Sequence, residues 1–301
     1  MEKLDRIEFR EIRNVAEVLN VTLDFIRQNF RLFSQSLIRI ALPPILIALT
    51  FFSYFFIGFI GDAVNRAVSE NNIWDYLLSL LGVSAIAGIV VAIGTTLLIC
   101  VVHVFAQLYV ERGQGEFTFA DVWKGTREIF WLIFFTNIGL AVVLIILQIL
   151  AAFVPFGGFG LYVLYAFGAL YFPLRIYDGR GFFKSFTVST ELVQKRWWAT
   201  LGLLSLQSLL STVLSGLLFL PIIVVSILSG IGVIDVEELV RSSSWLIYAG
   251  TALGALYISV VFLLSAVPVL SLIFHYYNQK ERKGGIGLLE RIEMIGTDTG
   301  V

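Results

Sequence analysis

The stretch Leu37–Ile60, LIRIALPPILIALTFFSYFFIGFI, decides the fold because its 24 residues carry a single charge, that of Arg39. An α-helix rises about 1.5 Å per residue, so this stretch would extend for roughly 36 Å. That length is enough to cross a bilayer hydrocarbon core of about 30 Å with some tilt. Pro43 and Pro44 lie near its start, where we expect them to bend or restart the helix without ending it.

Five more apolar runs follow, and the composition agrees with their reading as membrane spans. Of the 301 residues, 58% are hydrophobic and only 14% are charged, whereas soluble domains carry about 25% charged residues. The sequence therefore predicts an all-α, polytopic membrane protein with six transmembrane helices in residues 37–277. The predicted spans are Leu37–Ile60, Leu77–Val110, Ile129–Val154, Leu161–Ile176, Trp197–Leu228 and Trp245–Tyr277. The second run exceeds the bilayer thickness, so we expect a short interfacial piece near its start.

Amphipathic segments flank these spans. Residues 1–36 place apolar side chains at alternating spacings of three and four, which puts them on one helical face. These side chains are Phe9, Ile12, Ala16, Leu19, Leu23, Ile26, Phe30 and Phe33. Further short amphipathic helices are expected within residues 111–128 and 177–196, and the polar tail is expected at 278–301. Pro155–Gly160 is expected to be a tight turn between two spans.

The basic residues predict the orientation in the membrane. All but two of the 21 lysines and arginines lie in segments that six spans place on one side, and the exceptions are Arg66 and Arg241. Basic residues accumulate on the cytoplasmic side. We therefore expect a multi-pass protein of the bacterial inner membrane with both termini, residues 1–36 and the tail in the cytoplasm.

The six spans also read as three parallel hairpin repeats. Each hairpin starts with a basic residue beside aromatic residues, in Asn29–Phe33, Arg127–Trp131 and Lys195–Trp198. Each ends with a polar residue two positions before a tyrosine, followed by charge and glycine. All three hairpins would start on the same side of the membrane, unlike the inverted repeats of many secondary transporters.

The hairpin starts at Asn29–Arg31 and Lys195–Trp198 resemble the membrane domain attached to some glycerophosphodiester phosphodiesterases, as do the segment Ser185–Leu192 and the tail Phe274–Gly296. They are also similar to its stand-alone, uncharacterised relatives in bacteria, including Bacteroidota. The catalytic domain of those phosphodiesterases is a separate soluble barrel with paired acidic and histidine residues. Nothing in this sequence matches that barrel, so the resemblance implies a membrane module and no phosphodiesterase activity.

The sequence offers little for catalysis. The predicted spans contain no Asp or Glu, and ionisable residues inside a membrane usually mark transport pathways or proton relays. No metal-binding or phosphate-cradling motif is present. The single cysteine, Cys100, and the two histidines, His103 and His275, are read as structural. We expect no enzyme activity, no metal and no cofactor.

The candidate ligand site is the set of polar span ends. If the hairpins surround a pseudo-threefold axis, these side chains would converge near the cytoplasmic surface, and Arg175 would hold a lipid phosphate. The alternative is that they are ordinary interfacial anchors. The set comprises Gln107, Tyr109, Arg175, Tyr177, His275 and Tyr277.

Two functions remain open at this point. The first is a non-enzymatic membrane module that organises lipid or a partner protein, with membrane lipid or another membrane protein as its partner and no nucleic acid. The alternative is a transporter or flippase of lipid-like or apolar solutes, which the proline-bearing spans would allow, since broken helices can move and line a cavity.

The predicted orientation can be tested with a reporter enzyme that is active only outside the inner membrane. It should be silent when fused after Val301 and active when inserted near Asn71, because positive charge retains the first site in the cytoplasm. The opposite pattern of activity would contradict the topology.

Overall fold

The computed structural model describes residues 6–50, 73–230 and 245–284, and in these ranges the chain forms helices joined by turns, without strands. Six helical stretches are long and apolar enough to cross a membrane, which confirms the all-α class and supports a multi-pass membrane protein. The predicted loops 61–76 and 229–244, most of the tail (285–301) and the end of the first predicted span (51–60) lie outside the described residues, apart from residues 73–76 and 229–230. The helices are α1 Val15–Ser36, α2 42–50, α3 Ile73–Arg112, α4 Phe119–Ala152, α5 Gly157–Phe167, α6 Tyr171–Tyr177, α7 Phe182–Val193, α8 Trp197–Gly230, α9 Trp245–Leu264 and α10 Ala266–Gly284.

The outer surface of the bundle is apolar, and helix α4 shows this most clearly. Only 11% of the most apolar 18-residue segment of α4 is buried. Ile145, Ile149 and Leu150 are each more than half exposed. In water such a surface would be an aggregation or interaction site, whereas in a bilayer it would contact apolar lipid chains.

Polar side chains join the helices inside the bundle. Asn137 of α4 donates to the Thr95 and Thr96 hydroxyls of α3, at 3.2 Å in each case. Gln207 of α8 donates to Ser271 of α10. Asn137 and Gln207 therefore tie helices together, whereas Gln148 is exposed on α4.

Helix α3 lies at the centre of the fold, where it contacts α4, α10 and the turn Leu37–Ala41 that follows α1. Its buried half, from Leu98 to Tyr109, forms one core cluster with residues of α1 and α10. The helix is continuous from Ile73, so the separate interfacial piece expected near residues 77–81 is absent. The expected amphipathic helix in residues 111–128 is likewise part of α4, which begins at a capping box between Thr118 and Asp121.

The first helical stretch continues past Pro43 and Pro44 because the turn before them is a wider, π-helical one. Residues Leu37–Ala41 form a π-helical turn in which the Leu42 amide bonds the Leu37 carbonyl. A proline has no N–H and its ring clashes with the carbonyl four residues earlier. The wider turn moves those carbonyls away from the two rings, so the helix continues to Thr50 without a break.

The buried face of α1 differs from the predicted one. Leu23 and Phe30 are 47% and 63% exposed, and residues 6–14 precede the helix, which starts at the Asn14 cap. The buried positions are Val18, Thr22, Phe25, Asn29, Phe33 and Ser36. Three of the six are polar, so apolar spacing alone does not mark the buried side of this helix.

The fourth span is broken in two, but not at its proline. Residues 168–170 form a turn between α5 and α6, and Pro173 lies in the first turn of α6, where a missing N–H costs nothing. Ser189 of α7 fills the break, since its hydroxyl donates to the Phe167 carbonyl at 2.6 Å and accepts from the Leu170 amide at 3.2 Å. The glycines of the predicted turn 155–160 belong instead to α5, which begins at Gly157.

Replacing Ser189 with Ala should destabilise the protein by about 2–6 kcal/mol, because it leaves two backbone groups unpaired at about 1–3 kcal/mol each. The measurement is the thermal unfolding of the purified protein in mild detergent. Thr190→Ala on the same helix is the control, since the Thr190 hydroxyl bonds only the Phe186 carbonyl of its own helix. Equal stability of both variants would contradict a bridging role for Ser189.

Candidate functional site

The three predicted tyrosines come together at one end of the bundle. Phe9, in the segment before α1, contacts the rings of Tyr109 and Tyr277 at centroid distances of 5.9 and 5.5 Å. Tyr277 in turn contacts Tyr177 at 5.9 Å. The Tyr109 hydroxyl accepts a hydrogen bond from the Ile7 amide at 3.0 Å. The tyrosines therefore form a packed aromatic cluster that the N-terminal segment closes.

The three predicted polar side chains have separate partners. Gln107 is exposed and donates to Glu111 at 2.8 Å, in its own helix. His275 is buried and its Nε2 lies 2.9 Å from the Thr200 hydroxyl of α8. Arg175 turns toward Thr136 of α4. Among the described residues, no hydrogen bond joins these three side chains, so the expected convergence does not include them.

Both histidines are buried and hydrogen-bonded. Nδ1 of His103 lies 3.1 Å from the Tyr177 hydroxyl, which also donates to the His103 carbonyl. The tyrosine uses its own proton for the carbonyl, so Nδ1 of His103 carries the proton of the other bond. These contacts connect α3 to α6 as the bond from Thr200 connects α8 to α10. In the ranges that the structure describes, no cluster of His, Cys, Asp and Glu could hold a metal ion.

The end of the bundle that carries the tyrosines is also where most charged contacts lie, and we name it the basic end. It comprises residues 6–14, 107–121, 178–181, 194–196 and 275–284. Arg6 donates to the Val110 carbonyl at 2.7 Å, and the amide of Arg13 donates to the Asn278 side chain at 3.2 Å. The start of α1 and the ends of α3 and α10 are therefore held together.

Asp178 is a carboxylate of the basic end with three hydrogen-bond donors around it. Its oxygens accept hydrogen bonds from Tyr276 at 2.6 Å, Lys280 at 2.8 Å and Arg180 at 3.1 Å. Burial alone would raise the pKa of the Asp178 carboxyl, but these three donors outweigh it and hold the pKa below its usual range. Asp178 thus ties the end of α6 to α10 as a carboxylate.

An apolar cavity of about 530 Å³ opens between α4, α5 and α7. This size falls within the range of about 300–1,000 Å³ that ligand sites occupy. Its walls are leucines, phenylalanines and small residues, among them Leu144, Leu164, Gly168 and Phe186. The broken segment 168–170 forms part of the wall, so the break and the cavity are neighbours.

A second cavity of about 390 Å³ adjoins the first, and Phe182 lines both. Arg175 lines this second cavity together with Trp131, Phe135 and Thr136. Its Nε donates to the Thr136 hydroxyl at 3.4 Å and one terminal nitrogen donates to the Arg180 carbonyl at 2.6 Å. Within the described residues, no carboxylate forms an ion pair with Arg175.

Tyr171 lines the first cavity from the same side of α6 that presents Arg175 to the second. It lines the apolar cavity and is 3% exposed. Its hydroxyl is buried without a hydrogen-bond partner among the described residues. Tyr171 and Arg175 are four residues apart in α6, so their side chains lie on the same side of that helix. An unpaired hydroxyl and a guanidinium without a carboxylate thus stand beside an apolar cavity.

Sequence reasoning included Arg175 but missed Tyr171 and the cavity. The spacing of four between the two residues was visible in the sequence, but it has meaning only once a helix is known to begin at Tyr171. The sequence pattern ran the fourth span without interruption from Leu161, and the break at residues 168–170 is stabilised by Ser189 from another helix.

Comparison of the chain with protein-family models, with curated proteins and with solved structures found no match. The resemblance to phosphodiesterase membrane domains therefore stays a prediction. Any function has to be inferred from the contacts and cavities of this chain.

Replacing Asp178 with Asn should lower stability by about 1–2 kcal/mol near neutral pH, because hydrogen bonds to a charged group are lost and the lysine partner is partly solvated. A carboxyl whose folded pKa is depressed stabilises the protein above its unfolded pKa, about 3.9 for Asp. That contribution is lost as the pH falls through the folded pKa. The difference in melting temperature between the two proteins should therefore shrink below about pH 4.

The control is Asp24→Asn, which removes an exposed carboxylate of α1. It should match the unmodified protein across the pH range. A melting difference for Asp178→Asn that is independent of pH would contradict the assignment of Asp178 as a charged tie.

Proposed function

We propose that this protein is a non-enzymatic, integral membrane module that binds and organises anionic phospholipid beside α6. The proposal places it in the bacterial inner membrane with both termini, and therefore the basic end, in the cytoplasm. The three parallel hairpin repeats with cytoplasmic amphipathic helices belong to the same proposal. The observation that carries it is the pairing of Arg175 and Tyr171 on one helical face next to adjoining cavities.

Each part of a phospholipid has a matching feature. The apolar cavity suits an acyl chain, and its size supports partial enclosure of one chain. The guanidinium of Arg175 is suited to a phosphate, because its planar donors match phosphate oxygens. The Tyr171 hydroxyl, which lacks a partner among the described residues, would donate to an ester carbonyl between them. A buried hydroxyl of this kind costs free energy until a ligand pairs with it.

A second candidate, a transporter or flippase of lipid-like solutes, is favoured by the broken helix. Discontinuous helices in membrane transporters line the substrate site, and residues 168–170 lie in the wall of the apolar cavity. The two functions differ in one respect, since transport requires the lipid to cross to the other leaflet. A fluorescent-lipid assay in reconstituted vesicles distinguishes them, because a binding module leaves the lipid in its original leaflet.

The lipid site can be tested by purifying the protein in mild detergent and measuring the bound phospholipid by native mass spectrometry. Arg175→Gln should weaken retention of anionic lipid roughly tenfold, because a charge-assisted hydrogen bond is worth about 1.5–3 kcal/mol. Tyr171→Phe should also lower retention. Its thermal stability should be unchanged or higher, since the hydroxyl that it removes lacks a partner among the described residues.

Arg127→Gln serves as the matched control. Arg127 is exposed and lies in α4, the helix that also carries Thr136, the partner of Arg175. It removes the same charge away from the cavities and should retain lipid normally. Equal retention by the control, Arg175→Gln and Tyr171→Phe would exclude α6 as the binding site.

A further inference from the structure

A third cavity lies at the basic end and is separate from the two beside α6. It has a volume of about 610 Å³ and is formed where α7 meets α8, along the last turns of α10, and at Ile12 of the N-terminal segment. None of its lining residues lines the cavities that contain Tyr171 and Arg175.

Positive charge dominates the lining of this third cavity. The residues that line it include four cations but a single carboxylate, Glu191. Lys195 and Arg196 belong to the short 3₁₀ turn between α7 and α8, and Arg282 and Lys283 belong to the last turn of α10. Two separate elements therefore bring like charges to one concave surface, which costs electrostatic free energy unless an anion is bound.

Arg282 is held in place before any ligand arrives. Its Nε donates to the Asn278 side chain at 2.9 Å, and one terminal nitrogen donates to the Arg13 carbonyl at 2.8 Å. Asn278 is itself buried and donates to the same carbonyl at 2.8 Å. A cation whose rotamer is already ordered loses little conformational entropy when it binds a ligand.

The other three cations are exposed at the rim. Among the described residues, none of Lys195, Arg196 and Lys283 forms an ion pair. Gln279, which is 5% exposed, adds a buried amide to the lining. The cavity thus combines one fixed guanidinium and an amide with three adaptable cations around an opening.

We propose that this cavity binds a phosphate-bearing ligand with at least two phosphate groups. A single phosphate would meet the charge of Arg282 and leave cations on the opposite element without a partner. Two or more phosphates would reach both the α7–α8 turn and the end of α10. Lys and Arg clusters between helices at a membrane surface bind polyanionic lipid head groups, and soluble diphosphates present the same chemistry.

The two sources of this chemistry are separated by the choice of ligand. Inorganic pyrophosphate represents the soluble source and is titrated into the protein in neutral detergent. Cardiolipin, supplied in nanodiscs of otherwise zwitterionic lipid, represents the head group. Protection against thermal unfolding is measured in both cases against sodium chloride at equal ionic strength, because salt alone screens the repulsion between the cations.

The test variant is the double substitution Lys195→Gln with Lys283→Gln, which removes one rim cation from each element. It should weaken binding of the protecting ligand by roughly thirtyfold, since each of the two basic residues contributes about 1 kcal/mol near a phosphate surface. The control is Lys124→Gln with Lys184→Gln, which removes the same charge from exposed positions of α4 and α7 outside the cavity. It should bind like the unmodified protein.

Glu191→Gln supplies a result that misfolding cannot imitate. It removes the one carboxylate that lines the cavity, so affinity for the protecting ligand should increase several-fold. Protection by pyrophosphate that the cavity pair weakens would assign a soluble ligand, and protection by cardiolipin alone that the cavity pair weakens would assign a lipid head group. The proposal is wrong if neither ligand protects beyond chloride, or if the control pair weakens binding as much as the cavity pair. In an Arg175→Gln background the cavity pair should weaken binding by the same factor, because Arg175 does not line this cavity, and this keeps the two sites distinguishable.

Discussion

Hydrogen bonds between buried polar side chains hold this bundle together, because its outer surface is as apolar as any interior. In lipid, apolar side chains gain little by leaving the surface, so helix association depends on close packing and on polar ties. The structure has such ties between several helix pairs, including half-buried Asn137 with buried Thr96 and Thr200 with His275. Each is worth on average only about 0.6 kcal/mol in a membrane, and their combined geometry selects one arrangement of helices.

This constraint explains which features were readable from the sequence. Apolar length predicts spans, because backbone groups in lipid have to be satisfied within the helix. Apolar periodicity does not predict the buried face, because lipid and interior both accept apolar side chains. Helix α1 shows the consequence, since Phe30 is exposed while Thr22 and Asn29 are buried.

The charged residues of the basic end have two roles, to tie helices together and to surround a cavity. A count of basic residues in the sequence does not separate these roles. Asp178, Lys280 and Arg180 form a hydrogen-bonded group that fixes α6 against α10. Lys195 and Lys283 instead stay exposed around a cavity. In the sequence all of these are basic or acidic residues near span ends, and they contribute alike to the predicted orientation. Their separation depends on which helices meet, and local patterns carry little information about that.

The hydrogen bonds at the break in the fourth span indicate whether the break serves to hold a ligand or to move one. A gate needs backbone groups that change partners at low cost, whereas the break here is already satisfied on both sides. Ser189 binds the carbonyl before the turn and the amide after it, and its hydroxyl is fully buried. Opening the turn would leave both groups unpaired at about 1–3 kcal/mol each. The break therefore restarts the helix at Tyr171 in one orientation, which aligns Tyr171 with Arg175, and this rigidity favours a binding module over a transporter.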